Sequence, residues 1–231
     1  MIAIYPIRPG DDNPELQYSL RSLQNLPQIT EVWSVGYKPT WMQPDRHING
    51  NLQDTSHANV YDNIRRACRA TTGQVAIFND DIYATTHVTT IPTVYRSTLD
   101  EHLNLPRLQR AAGQWWPTSL QTTKTCLQAH GIETPLSYEL HTPFVCDPQK
   151  MADTLDLFAY VTPDNPPQWR SLAGNMLNMG GAQSADGKAY GPGALNRPWH
   201  STEDASFPYY AEQLADRFPD PSPYEKATVH A

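Results

Sequence analysis

Within its first eighty residues the chain alternates between short apolar runs and amphipathic helical patterns, and this alternation limits the possible folds more than any other feature. Ile2-Ala3-Ile4-Tyr5 reads as a buried strand, ended by Pro6 and Pro9-Gly10. Asp12-Asn13-Pro14-Glu15 carries the marks of a helix start. Asp12 is the expected cap, Pro14 suits the first turn, and Glu15 follows Asp12 by three as in a capping box. Leu16, Leu20 and Leu23 then recur at helical spacing, and Pro27 ends the helix. Val32-Trp33-Ser34-Val35, closed by Gly36, is a second strand. Strand, helix and strand within about 35 residues form a βαβ unit with parallel strands and a right-handed crossover. Val60, Ile64, Ala67 and Cys68 line one face of a second helix that ends near Thr72-Gly73. Gln74 to Phe78 is a third strand, running straight into Asn79-Asp80-Asp81. The repeat predicts an α/β fold: one Rossmann-type, mostly parallel sheet with helices on both faces.

The second half is less regular and predicts an irregular, loop-rich region. Ser119 to His130, stopped by Gly131, is an expected helix, and Asp147-Pro148 starts another with Met151, Leu155 and Phe158 on its apolar face. Gly174 to Gly193 holds six of the twelve glycines and predicts a long flexible loop of the lid type. Phe207, Tyr210, Ala211 and Leu214 mark a last helix, stopped by Pro219 to Pro223, with a fraying tail after it. The length of 231 residues fits one domain, divided into a βαβ part over 1–90, an irregular part over 91–218 and a tail over 219–231.

Composition narrows the function. Seventeen basic against twenty-four acidic residues give a net charge of −7, which disfavours a charge-driven nucleic-acid binder but leaves room for a local basic groove. No apolar run approaches a membrane span, and the N-terminus lacks the charged and apolar regions of a secretory signal. Cys68, Cys126 and Cys146 have neither metal-ligand nor disulfide spacing, so a reducing cytoplasm is the expected compartment. A phosphate-binding P-loop, a Gly-x-Ser-x-Gly nucleophile elbow and a His-x-x-x-His zinc pattern are all missing.

Ligands of such sheets bind beyond the carboxyl ends of the strands. Three segments therefore matter: Tyr5-Pro6-Ile7-Arg8, Gly36-Tyr37-Lys38 and Asn79-Asp80-Asp81. Adjacent carboxylates repel each other and resist burial, so Asp80 and Asp81 make sense around a divalent cation such as Mg²⁺, although they also suit a cap or a solvated turn. Arg8 is placed to fork onto a phosphate, or is an ordinary turn arginine. Lys38 is weaker evidence for the same role. Asn63 and Arg66 share a helical face leading to the acidic pair, while Arg65, Arg66 and Arg69 also read as a solvated charged face. His141 in Leu-His-Thr-Pro-Phe is a structural histidine, a general base or a phosphate ligand, and Asp204 an N-terminal cap or first-turn acid.

Several segments together are similar to known sequences. Leu16-Gln17-Tyr18-Ser19-Leu20-Arg21-Ser22-Leu23, the Glu31 to Gly36 strand, Pro39-Thr40-Trp41, Ile77-Phe78-Asn79-Asp80-Asp81 and His141-Thr142-Pro143 resemble, in order, the core of Stealth-type sugar-phosphotransferases. The start, Tyr5-Pro6-Ile7-Arg8, departs from that family's pattern. Ala173-Gly174-Asn175, Ser201-Thr202-Glu203-Asp204-Ala205-Ser206-Phe207 and Phe218-Pro219-Asp220-Pro221-Ser222-Pro223-Tyr224-Glu225 bring the whole chain closer to small bacteriophage proteins described as glycosyltransferases. The resemblance implies a GT-A-like transferase that uses a nucleotide-diphospho-sugar, expected to be a UDP-sugar, with Mg²⁺ or Mn²⁺ held by Asp80 and Asp81. Residues 1–90 are then the donor-binding part, and 91–218 the acceptor and lid part. Tyr5, Pro6, Arg8, Gly36, Lys38, Asn63, Arg66, Asn79 and Asp80 are the expected donor contacts. Asp81, His141 and Asp204 are the expected catalytic residues, with His141 or Asp204 at the acceptor.

The acceptor stays open between a hydroxyl on protein or glycan and a hydroxymethylated base of phage DNA. Arg65, Arg66, Arg69, Arg107, Arg110, Lys124 and Trp115-Trp116 are available for a DNA groove. Sugar-phosphate transfer of the Stealth kind is a third option, and a non-enzymatic carbohydrate-binding or virion module a fourth. If the chain is phage-encoded, its expected compartment is the cytoplasm of the infected host.

Overall fold

A computed structural model describes residues 1–51, 55–158 and 166–226. Its elements follow the chain as β1 (Ile2–Ile7), α1 (Pro14–Ser22), β2 (Glu31–Gly36), β3 (Arg46–Asn49), α2 (Ser56–Arg69), β4 (Val75–Ile77), β5 (Ile82–Ala84), β6 (Val94–Tyr95), β7 (Ser97–Thr98), α3 (Leu99–Leu103), α4 (Pro106–Arg110), α5 (Trp115–Ala129), β8 (Leu136–Ser137), β9 (Phe144–Cys146), α6 (Pro148–Leu157), α7 (Trp169–Met176), β10 (Ala182–Gln183), β11 (Trp199–Ser201) and α8 (Ala211–Arg217). Five strands form the main sheet in the order β3-β2-β1-β4-β9. The first four of these by chain order run parallel, and β9 is antiparallel to β4. The fold is therefore mixed α/β with a mostly parallel sheet.

Strands buried on both faces read as continuous apolar runs, and the pleat sends alternate side chains to opposite sides. Ile4, Val35, Val75 and Ile77 pack with Ile64 and Ala67 of α2 and with Met151 and Leu155 of α6. Ala3, Tyr5, Val32, Ala76 and Phe78 pack with Leu16 and Leu20 of α1 on the other side. Helices thus cover both faces.

Pro6 does not end the first strand. β1 continues to Ile7, with Pro6 in register with Val35. Ile4 O accepts from Phe78 N on the β4 side, and Ile7 O accepts from Tyr37 N on the β2 side. By alternation Pro6 faces the β4 side, where that strand has already given way to Asn79. Its missing N–H therefore leaves no rung unpaired, at the point where β1 and β4 part.

Other boundaries also differ. Asn13, not Asp12, caps α1, its Oδ1 accepting from Leu16 N at 3.1 Å. Glu15 closes no capping box and instead accepts from Thr202 Oγ1 at 2.5 Å. α5 starts at Trp115, four residues ahead of Ser119. The last helix is split into a 3₁₀ turn over Phe207–Tyr209 and α8. Residues 227–231 of the expected tail lie outside the described residues.

The glycine-rich stretch is not a free lid. Gly174 lies within α7, where a Cβ would come within 2.3 Å of the Tyr138 ring. Gly181, at φ +105°, rests on the Thr93 backbone beside the β10–β6 pair. These glycines permit close packing rather than motion. The segment is thereby held in place, with Asp186 and Lys188 facing the site.

Candidate functional site

The strand order reverses between β1 and β4, and in open α/β sheets such a switch point leaves a crevice beyond the strand ends. Here the crevice is a cavity of about 730 Å³. Pro6, Arg8, Asn79 and Asp80 form its sheet end, and His141 lies on another wall. Five of the expected site residues are thus brought together.

The acidic pair is split between two environments. Asp80 lines the cavity, where Asn13 Nδ2 donates to its Oδ2 at 2.8 Å and Arg8 Nε lies 3.9 Å away. Burial and the adjacent Asp81 push its pKa up, against Asn13 and Arg8. Asp81 sits behind it, 7% exposed. Its Oδ2 accepts from Lys188 Nζ at 2.8 Å and from Ser201 Oγ at 2.9 Å, while its Oδ1 is buried without a partner among the described residues. Among the described residues no three His, Cys, Asp or Glu side chains gather as a cation site. Mg²⁺ takes one or two carboxylates plus substrate phosphates, however, and Asp80 with the unpartnered Asp81 oxygen fits that donor set.

Asp204 does not line the cavity but joins it through Arg8, which donates to Asp204 Oδ1 and Oδ2 at 2.7 and 3.1 Å. That bond holds the Asp204 carboxyl below its usual range. The remaining expected residues stand elsewhere. Tyr5 is fully buried, stacked on Phe78 with its hydroxyl on Ser19, so it is core and not a donor contact. Gly36 and Gly50 close around the Asn63 side chain, and a Cβ on Gly36 would meet Asn63 Nδ2 at 2.5 Å. Gly36 and Asn63 thus pack against each other instead of lining the cavity. Lys38 is exposed and outside the lining. Arg66 pairs with Asp62 at 2.7 Å, and Arg65 and Arg69 pair with Asp156, so this cluster is the solvated face.

The cavity's other cations come from segments with no sequence signal. Arg170 is 6% exposed and donates to Asn79 Oδ1 at 3.0 Å, while its Nε has no partner among the described residues. It makes no ion pair among the described residues, and burial lowers its pKa against the pull of Glu139. Lys188 shares the lining. Burial would push its pKa down, but Asp81 outweighs this and raises it. Asp186 accepts from the His141 backbone N–H and Nδ1, both at 3.0 Å, and from Arg96 at 2.5 Å. Burial works against its charge, yet the His141 contacts hold its pKa low.

The far end of the cavity is aromatic. His57 stacks on Trp115 with centroids 3.4 Å apart and planes 13° from parallel, and Trp116 lies beside them. His102 bonds Ser137 through Nδ1 and has a buried Nε2 with no partner among the described residues. Burial, with help from Arg96 and Arg107, pushes its pKa down to about 3, so the ring is neutral. One cavity therefore offers cations, the Asp80 carboxylate, a histidine–carboxylate dyad and stacking rings.

Glu15 lies below the charged end, 4.0 Å from Arg8. Burial, reinforced by Asp81, Asp80 and Asp204, pushes its pKa up to about 7, against the Thr202 bond and an ordinary value of 4.5. Its stability contribution is complete below 4.5 and is lost as pH rises through 7. A difference of about 3 kcal/mol between the two limits follows from this shift. Relative to the native chain, Glu15→Gln is expected to raise Tm at pH 8 and leave it unchanged at pH 4. Melting curves of both proteins across that range check this.

Set against protein-family models and against curated proteins, the chain matches none. Among the described residues, no helix is long and apolar enough to cross a membrane.

Proposed function

We propose that the chain is a GT-A-like glycosyltransferase that moves a sugar from a nucleotide-diphospho-sugar to an acceptor hydroxyl. The observation that carries this reading is Arg170, a buried guanidinium with no ion pair among the described residues, which lines a switch-point cavity of about 730 Å³ together with Arg8 and Lys188. A buried cation is costly unless an anion meets it, and a diphosphate is such an anion. The volume lies in the range of small-molecule sites. The resemblance to phage glycosyltransferases and Stealth-type proteins points the same way.

Arg8, Arg170 and Lys188 bind the diphosphate and offset the charge it gains on leaving. Asp80 and Asp81 would hold Mg²⁺ or Mn²⁺, which when bound neutralises the same leaving group. The His57–Trp115 wall gives a ring a stacking surface. His141 serves the acceptor side, and Asp204, outside the cavity, acts through its bond to Arg8. UDP-sugars are the first donors to test. Release of UDP with a product heavier by one sugar residue is the expected result. A mass gain that includes phosphate assigns sugar-phosphate transfer instead, and no turnover of any nucleotide sugar removes the reading.

Arg170→Met separates binding from folding. The variant sheds the desolvation of this guanidinium but loses the Asn79 bond, the stacking on Trp169 and the attraction to Glu139, so Tm is expected to stay within about 3 °C of native. Loss of a charged contact worth about 2 kcal/mol lowers donor affinity roughly 30-fold. Titration calorimetry beside melting curves measures both.

A further inference from the structure

Asp186 has no counterpart among the residues that the sequence singles out, yet it fixes His141 completely. One carboxylate oxygen accepts from both the His141 backbone N–H and ring Nδ1 at 3.0 Å. The second oxygen is held by Arg96 at 2.5 Å, and Lys188 N donates to the first at 3.3 Å. A carboxylate at Nδ1 places the proton there and leaves Nε2 as an acceptor. His141 lines the cavity and its ring is about a quarter exposed, at 26%. This is the arrangement of a base oriented by a third group, with the acid held by a cation and two backbone amides.

We propose that His141 is the general base of the transfer, that Asp186 is its positioning residue, and that the sugar is transferred with inversion at the anomeric carbon. The inference rests on the glycosyltransferase reading. In the step, His141 Nε2 takes the proton of the acceptor hydroxyl while its oxygen bonds to the anomeric carbon. The bond from that carbon to the diphosphate oxygen breaks, and its electron pair leaves with the nucleoside diphosphate. Asp186 stabilises the imidazolium. A single displacement by the activated oxygen proceeds from the face opposite the leaving group, with no covalent enzyme intermediate, and so inverts the centre.

The test uses the UDP-sugar that raises the Tm of the full chain most, with water as the acceptor. His141→Ala and Asp186→Asn are expected to lower kcat about 10²–10⁴-fold, with KM for the donor within about threefold of native. Free imidazole is expected to restore part of the rate in His141→Ala, which a merely structural histidine would not allow. Proton NMR of the sugar released from an α-linked donor, before mutarotation, is expected to show the β anomer. Native kcat in either folded variant, or release of the α anomer, overturns the inference and leaves the donor reading standing. Should Asp186→Asn fail to fold, His141→Ala and the NMR result decide. A native chain that binds no nucleotide sugar ends both proposals.

Discussion

Lys188→Met is expected to lower kcat by about 10²–10³ and Tm by about 10 °C. The two losses have separate causes. Lys188 Nζ lies 2.8 Å from Asp81 Oδ2, and both side chains are at least 87% removed from solvent, being 13% and 9% exposed. Removing the ammonium strands a buried carboxylate, which costs about 3–5 kcal/mol. It also removes one of the cations that line the cavity. The double variant Lys188→Met/Asp81→Asn removes the stranded charge while keeping side-chain volume. It is expected to recover most of the Tm and none of the rate, since the cation and a metal-holding carboxylate are both gone. Full recovery of both would show that the Lys188–Asp81 pair is structural only.

Asp80→Ala is expected to lower kcat by about 10³ with the fold intact. Asp80 faces the cavity, and its pKa is pushed up by burial and by Asp81, so its charge is a strain on the free protein. Its loss relieves that repulsion at the expense of the Asn13 bond. Melting curves should stay within about 3 °C of native, since the two effects oppose each other. The sequence alone makes Asp80 and Asp81 look equivalent. They are not, because Asp81→Ala would leave the buried Lys188 without its partner, so a lost rate there would combine destabilisation with the loss of a metal-holding carboxylate.

The parts of the fold legible in the sequence are those fixed by local pattern. β1, β2 and β4 are buried on both faces, so Ile2-Ala3-Ile4-Tyr5, Val32 to Val35 and Val75 to Phe78 stand out as apolar runs. β3 is a half-exposed edge strand of Arg-His-Ile-Asn, whose pattern does not separate it from a loop. The glycines from 174 to 193 read as flexibility because sequence shows their permissiveness and hides what packs on them. At the site, Arg8, Asn79 and Asp80 were legible because strand ends of a parallel sheet are site-prone. Arg170, Asp186 and Lys188 were not. They reach the cavity through contacts spanning 91, 45 and 107 residues, which no local spacing encodes. The arginines of α2 mislead for the converse reason, since Asp62 and Asp156 satisfy them away from the cavity.

Titration calorimetry of the full chain with UDP-sugars, followed by other nucleotide sugars, in the presence of Mn²⁺ tests the switch-point cavity as a donor site. One site per chain is expected, with affinity weakened by Arg170→Met while Tm holds. Saturating titrations of folded protein with no heat from any nucleotide sugar would contradict it.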